Sequence, residues 1–289
     1  MKPVIELDVG ANQLKATLRP AAAGWGSRVL RRLQRQRKPV ELTPAAAPTE
    51  TASWTPGATR AETLAALLEA AAQALQALRA HHPVSLDGSR LVVRTGVSAS
   101  YLGVAPMDLS LPSARAEPQL RAVAKAVTQE ALGAEAAAHD VRWRIEASQA
   151  HLCVITLESA LVAGLQALAQ AQRVTLASCQ PAIVELLDGE LNKSRRQRDA
   201  RTLVWTELDA SGRRHAALSF IRLVNGSAVN AWRTVTQAPT AAGDPWLQPA
   251  LERFLIASGA GMDEQVVPCA WPANAVQTPA PAAAMELAA

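Results

Sequence analysis

The sequence predicts an α/β protein with mixed sheets covered by helices, and three observations predict it. Short apolar or alternating runs come in pairs about turn residues, over 3–18, 90–106, 141–157 and 202–224, which is the pattern of strands. Longer alanine- and leucine-rich stretches lie between them, with leucines at three- and four-residue spacings that bury one helix face. The resulting order is β, β, α, β, α, which points away from a plain parallel βα array.

Residues 3–9 and 12–18 flank Gly10 and open the chain as a β-hairpin. After the basic run from Ser27 to Lys38, a Pro/Thr/Ala stretch from Pro39 to Ala58 reads as connection, with Val40-Glu41-Leu42 as a short third strand. From Thr59 to Ala80 the pattern is a long helix, with Leu64, Leu67, Leu68, Leu75 and Leu78 on one stripe and neither glycine nor proline inside it. His81-His82-Pro83 ends it, because proline cannot continue a helix and histidine suits the negative C-terminal end.

Two strands about a Gly96 turn follow, then a helix from Glu117 to Leu132 and a second strand pair, "VRWRIEAS" and "HLCVITL". A helix from Glu158 to Ala171, a strand over 173–178 and a short helix from Pro181 to Leu187 come next. The charged stretch from Asn192 to Arg201 reads as an exposed loop before a hairpin turning at Ser211-Gly212. Residues 246–257 read as a helix with Pro249 near its start, and the tail from Val276 has a disordered composition.

Composition narrows the function classes. At 289 residues the chain holds one large or two ordinary domains, and 49% hydrophobic residues supply a sizeable core. No run reaches the ~20 apolar residues of a membrane-spanning helix, so a cytoplasmic protein is expected. Cys153, Cys179 and Cys269 have no C-x-x-C spacing, which argues against a disulfide framework or a zinc site, and no metal site is expected. No G-x-S-x-G, H-E-x-x-H or P-loop pattern is present, so no catalytic residue is assigned; His139-Asp140 and His151 are read as ordinary strand-end residues.

The formal charge of +4 is nearly all arginine, so local clusters carry the information. One lies at Arg28, Arg31, Arg32, Arg35, Arg37 and Lys38, with Trp25, Val29 and Leu33 spaced every four residues. As a helix it would set an apolar stripe beside a basic face suited to an anionic membrane or a partner surface, at ~1 kcal/mol per basic residue. A solvated basic loop is the competing reading. Nucleic acid is not an expected partner, since the patch has one aromatic and no binding motif. Of seven tryptophans, Trp143 and Trp205 alternate with apolar neighbours and are expected in the core, whereas Trp25, Trp54 and Trp246 are candidates for a protein-binding surface.

The opening "IELDVGANQLKATL" carries the main site candidate. A phosphate-binding hairpin needs a glycine for close approach, outward backbone N–H groups and often a carboxylate that holds a magnesium-bound water. Asp8 and Gly10 supply two of these, and Lys15 can add a cation. The same Asp and Gly are also what a tight turn demands by itself, and both readings stand at this level.

Asp8, Gly10 and Lys15 match the D-x-G-x-x-x-x-K opening of PilM-type pilus assembly proteins, within the actin-like (sugar kinase/Hsp70/actin) superfamily. The layout from "LVVRTGVSASYLGVAP" through residue 187 is similar to those proteins and to the cytoplasmic part of the type II secretion L protein. The resemblance implies an actin-like (ribonuclease H-like), two-lobed α/β fold with mixed sheets, in a trimmed or degenerate form. Its expected spans are 1–190 for a first lobe with an inserted subdomain, 191–275 for a second lobe and 276–289 for the tail.

ATP-binding members carry a second D-x-G hairpin; here that place reads "VWTELDASGRR", with Glu207, Asp209 and Gly212 in a different spacing. The adenosine-side glycines would be Gly259 and Gly261, which follow a helix. The resemblance therefore implies a non-catalytic scaffold, peripheral at the inner membrane, that binds membrane-anchored pilus or secretion platform proteins without a cofactor. An active ATPase or kinase using Mg-ATP at Asp8, Gly10 and Lys15 is the alternative, and a basic membrane-surface or nucleic-acid binder is a third.

Overall fold

The computed structural model describes residues 2–10, 13–19, 47–82, 85–96, 99–146, 148, 150–208, 214–241, 247–261 and 264–271. In chain order the strands are β1 Val4–Val9, β2 Gln13–Arg19, β3 Thr49–Ser53, β4 Arg90–Thr95, β5 Ser100–Pro106, β6 His139–Ile145, β7 His151–Glu158, β8 Thr175–Pro181, β9 Ala200–Leu208, β10 Arg214–Val224, β11 Ser227–Ala241 and β12 Gln265–Trp271. The helices are α1 Arg60–His81, α2 Glu117–Leu132, α3 Ser159–Ala171, α4 Ala182–Gln197 and α5 Leu247–Ser258.

The chain divides into two compact units that are interleaved in sequence. Of the described residues, one gathers those within 1–8, 13–94 and 163–179; the other gathers those within 9–12, 95–162 and 180–289.

The first unit is built on a five-stranded sheet of order β3-β2-β1-β4-β8. Strand alternation sends Ile5 and Leu7 of β1, Leu14, Ala16 and Leu18 of β2 and Leu91 and Val93 of β4 into the core. Glu6, Asp8, Lys15 and Arg94 therefore fall on the opposite face. Helix α1 lies against β2 and β3 through a stripe of Leu67, Ala70, Ala71, Ala74, Leu75 and Leu78. Its start is a capping box in which the Thr59 hydroxyl accepts the Glu62 N–H and the Glu62 carboxylate accepts the Thr59 N–H. At its end, Arg79 donates to Asp87 at 2.6 Å and to the Gln172 carbonyl at 2.6 Å. A Cβ at Gly164 of α3 would lie 2.5 Å from Leu68 Cδ1, so glycine there admits the α1 leucine.

The second unit holds a four-stranded sheet of order β11-β10-β9-β12 and a three-stranded sheet of order β5-β7-β6. The four-stranded sheet is mixed: β9, β10 and β11 are antiparallel neighbours, and β12 runs parallel to β9. Helix α2 covers one face of the three-stranded sheet with Leu120 and Ala124 on Leu152 and Val154. On the other face Leu102 and Cys153 join Ile183, Leu187 and Leu191 of α4 and Leu203, Trp205 and Ile221 of the larger sheet in one core. Helix α5 closes the remaining face of that sheet, where Phe220 stacks on Phe254 at 5.5 Å. Each fully buried Leu or Phe contributes about 1.5–3 kcal/mol of transfer free energy.

Several expectations are corrected. The stretch read as connection contains β3, whose polar, threonine-rich sequence suits a sheet edge exposed on one face. The two strands about Gly96 do not form a hairpin: β4 lies in the five-stranded sheet and β5 in the three-stranded one. The expected short helix and exposed charged loop are one helix, α4, running to Gln197, because Leu187, Leu191 and Ser194 continue its buried stripe. Arg201, expected in that loop, is buried and paired with Glu190 at 3.0 Å. Strands β11 and β12 were not anticipated. Trp205 is in the core, while Trp143 is half-buried on the α2 cluster with the Arg121 guanidinium 5.9 Å above its ring. Trp54 is half-buried. Trp25, Arg28, Arg31, Arg32, Arg35, Val40-Glu41-Leu42, Trp246 and the tail lie outside the described residues.

Candidate functional site

Asp8 is the fifth residue of β1, and the alternation that buries Ile5 and Leu7 turns its carboxylate, with that of Glu6, to the other face. Residues two apart on a strand share a face, so β1 presents two carboxylates side by side. Strand β4 lies next to β1 and brings Arg94 to the same face.

The Arg94 guanidinium spans both acids: Nε donates to Asp8 Oδ1 at 2.6 Å and Nη2 donates to Glu6 Oε2 at 3.2 Å. Arg19 of β2 donates to the same Glu6 oxygen at 3.1 Å. The result is a charge ladder, Arg19–Glu6–Arg94–Asp8. Its Asp8 end is largely shielded, with Asp8 13% exposed and Arg94 20% exposed, so the Arg94–Asp8 pair is screened less by solvent than a surface ion pair. Burial pushes the Asp8 carboxyl above its ordinary value, and the hydrogen bond and charge of Arg94 pull it back. The Glu6 charge adds to the rise and the Lys15 charge opposes it.

Lys15 is half-buried on β2, in register with Thr51 of β3. Gly10 is buried, and the preceding residue, Val9, accepts the Gly96 N–H at 2.8 Å. A carboxylate that holds a magnesium-bound water must present a lone pair to it. At Asp8 the Arg94 guanidinium engages Oδ1, one of the two carboxylate oxygens. Sequence reasoning missed Arg94; its signal was a charge inside the otherwise apolar run of "RLVVRT".

In the other unit, Glu207 of β9 is fully buried. Its carboxylate presses on Gly96 so closely that a Cβ there would lie 2.1 Å from Oε1. A side chain at position 96 would therefore have to displace this buried carboxylate. Asp209 and Gly212 lie outside the described residues, and Gly259 and Gly261 follow α5 on the way to β12.

Burial pushes the Cys153 and Cys179 thiols up to about 12 and that of Cys269 up to about 11. Among the described residues no group of three or more His, Cys, Asp or Glu side chains is placed to hold a metal ion.

No protein-family model matches the chain, and no curated protein does. Among solved structures it is similar to a Bacteroides thetaiotaomicron protein of actin-like ATPase fold and unknown function, at 9% identity over 93% of this chain and 81% of that one, TM-score 0.50. It is also similar to a chain of the PilM–PilN type IV pilus biogenesis complex, at 14% identity over 88% of this chain and 67% of that one, TM-score 0.49. A third is the cytoplasmic domain of EpsL, an inner membrane component of the type II secretion system of Vibrio cholerae, at 8% identity over 93% and 82%, TM-score 0.46. Likeness at such identities is a likeness of fold. The mixed sheets with their covering helices, together with the first of these matches, give this chain the actin-like ATPase fold.

Proposed function

We propose that this chain is a non-catalytic adaptor: an actin-like protein that binds membrane-anchored proteins of a type IV pilus or type II secretion platform, on the cytoplasmic side of the inner membrane. The observation that carries the non-catalytic part is the pairing of Asp8 with Arg94 at 2.6 Å, which engages the carboxylate that a nucleotide-using hairpin would turn toward magnesium. The platform part rests on the D-x-G-x-x-x-x-K opening at Asp8, Gly10 and Lys15. A peripheral location agrees with the described helices, none of which is long and apolar enough to cross a membrane. Such a protein works by presenting a folded surface to a short segment of its partner, and its output is affinity rather than turnover.

The test pairs a ligand measurement with a partner measurement. Mg-ATP is expected to leave the melting temperature unchanged, and affinity purification at native expression is expected to recover membrane-anchored pilus or secretion components. A rise of several degrees with Mg-ATP that is lost in Asp8→Ala would instead establish an active nucleotide site.

A further inference from the structure

We propose that Arg94 is the built-in counter-ion of the opening hairpin, standing at Glu6 and Asp8 in the place where two adjacent carboxylates would otherwise attract a divalent cation. The inference rests on the adaptor reading and adds to it a named residue that makes the hairpin independent of metal.

The geometry carries the step. Glu6 and Asp8 are two residues apart on β1, so both carboxylates issue from one face of one strand. Two partly buried carboxylates on one strand face repel each other, and either a cation beside them or protonation of one acid relieves that repulsion. The guanidinium of Arg94 is a planar fork, and its Nε and Nη2 reach one acid each. Arginine also stays protonated at every pH the protein meets, so this counter-charge does not exchange with solvent as a metal ion does. Arg19 reinforces only Glu6, from the exposed side, so the hydrogen bond to Asp8 comes from Arg94, with the Lys15 charge acting beside it. The sequence is consistent with that pairing, since a charged residue interrupts an apolar strand run where the neighbouring strand presents its two acids.

The experiment uses the full chain, with magnesium chloride and manganese chloride as probes. Wild-type protein should melt at the same temperature in magnesium chloride and in sodium chloride of equal ionic strength, and should bind no manganese detectable by electron paramagnetic resonance. Arg94→Met removes the donor from Asp8 while keeping an apolar stem; it should melt lower than wild type, bind manganese, and gain melting temperature with magnesium over the sodium control. Arg94→Lys should stay metal-indifferent, because an ammonium still supplies the charge. Adding Asp8→Asn to Arg94→Met should abolish the metal response.

A wild-type metal response as large as that of Arg94→Met overturns the proposal, and so does a folded Arg94→Met with no response. If Arg94→Met does not fold, Arg94→Gln, which keeps one donor, is read by the same criteria. Binding of Mg-ATP by wild-type protein would defeat the adaptor reading, whereas a metal-indifferent Arg94→Met would defeat only the role given to Arg94.

Discussion

Glu146 accepts the backbone N–H of Ala228 at 3.1 Å, so an acid just past the end of β6 holds the start of β11. The same carboxylate receives Arg144 Nε at 3.1 Å, and beside it the Ser148 N–H donates to the Ser227 hydroxyl at 2.9 Å. Two hairpin turns, distant in sequence, are thereby tied together within one unit. Because Glu146 is buried, Glu146→Ala leaves an amide and a guanidinium short of an acceptor and should cost about 1–3 kcal/mol of stability, measured by urea unfolding. Glu146→Gln keeps an acceptor and should cost less.

Gly96→Ala should destabilise the protein by about 1–3 kcal/mol, since the new methyl would overlap the carboxylate of Glu207, which is fully buried and must shift to make room. The shortened acid of Gly96→Ala/Glu207→Asp should recover part of that loss, giving a non-additive pair in a double-mutant cycle. Equal, additive losses would show that the contact is not what requires glycine.

His151 yields a pH dependence with a definite sign. Burial holds its imidazole below the ordinary 6.5, and the Glu146 charge opposes this only in part. Its Nδ1 is shielded from solvent, with no hydrogen-bond partner among the described residues. Between the folded value and 6.5 the unfolded chain binds the proton that the folded chain refuses, so stability rises with pH in that window. The His151 contribution is therefore complete above 6.5 and is lost as pH falls through the folded value. Urea midpoints measured from pH 7.5 down to pH 5 should decline in wild type and decline less in His151→Gln.

Much of the fold was legible locally. The helix over Arg60–His81 declared itself by its leucine spacing and by the His81-His82-Pro83 end, and the β1 alternation around Asp8 declared a half-buried strand. Strand β11 was equally legible and was missed. Asn225 and Gly226, at φ 50° and 78°, form the two-residue turn that Asn-Gly favours between antiparallel strands, and Val224 pairs with Ser227 across it. Helix α4 continues past Leu187 through a run of charges because Leu187, Leu191 and Ser194 keep its buried stripe unbroken.

The candidate site divides differently. Asp8, Gly10 and Lys15 could be named from nearby residues because turn chemistry and strand period act over a few positions. Arg94 could not, since it stands 86 residues from Asp8 and meets it only because β4 lies beside β1. The same holds for Arg201, which reads as a solvated charge in sequence and is buried against Glu190 in the fold. Side-chain period and turn propensity are short-range properties of the chain, so they settle which segments are strands or helices and which face carries charge. Strand order and the counter-ion of each buried acid follow from contacts between distant segments, where burial strengthens ion pairing and makes the choice of partner decisive.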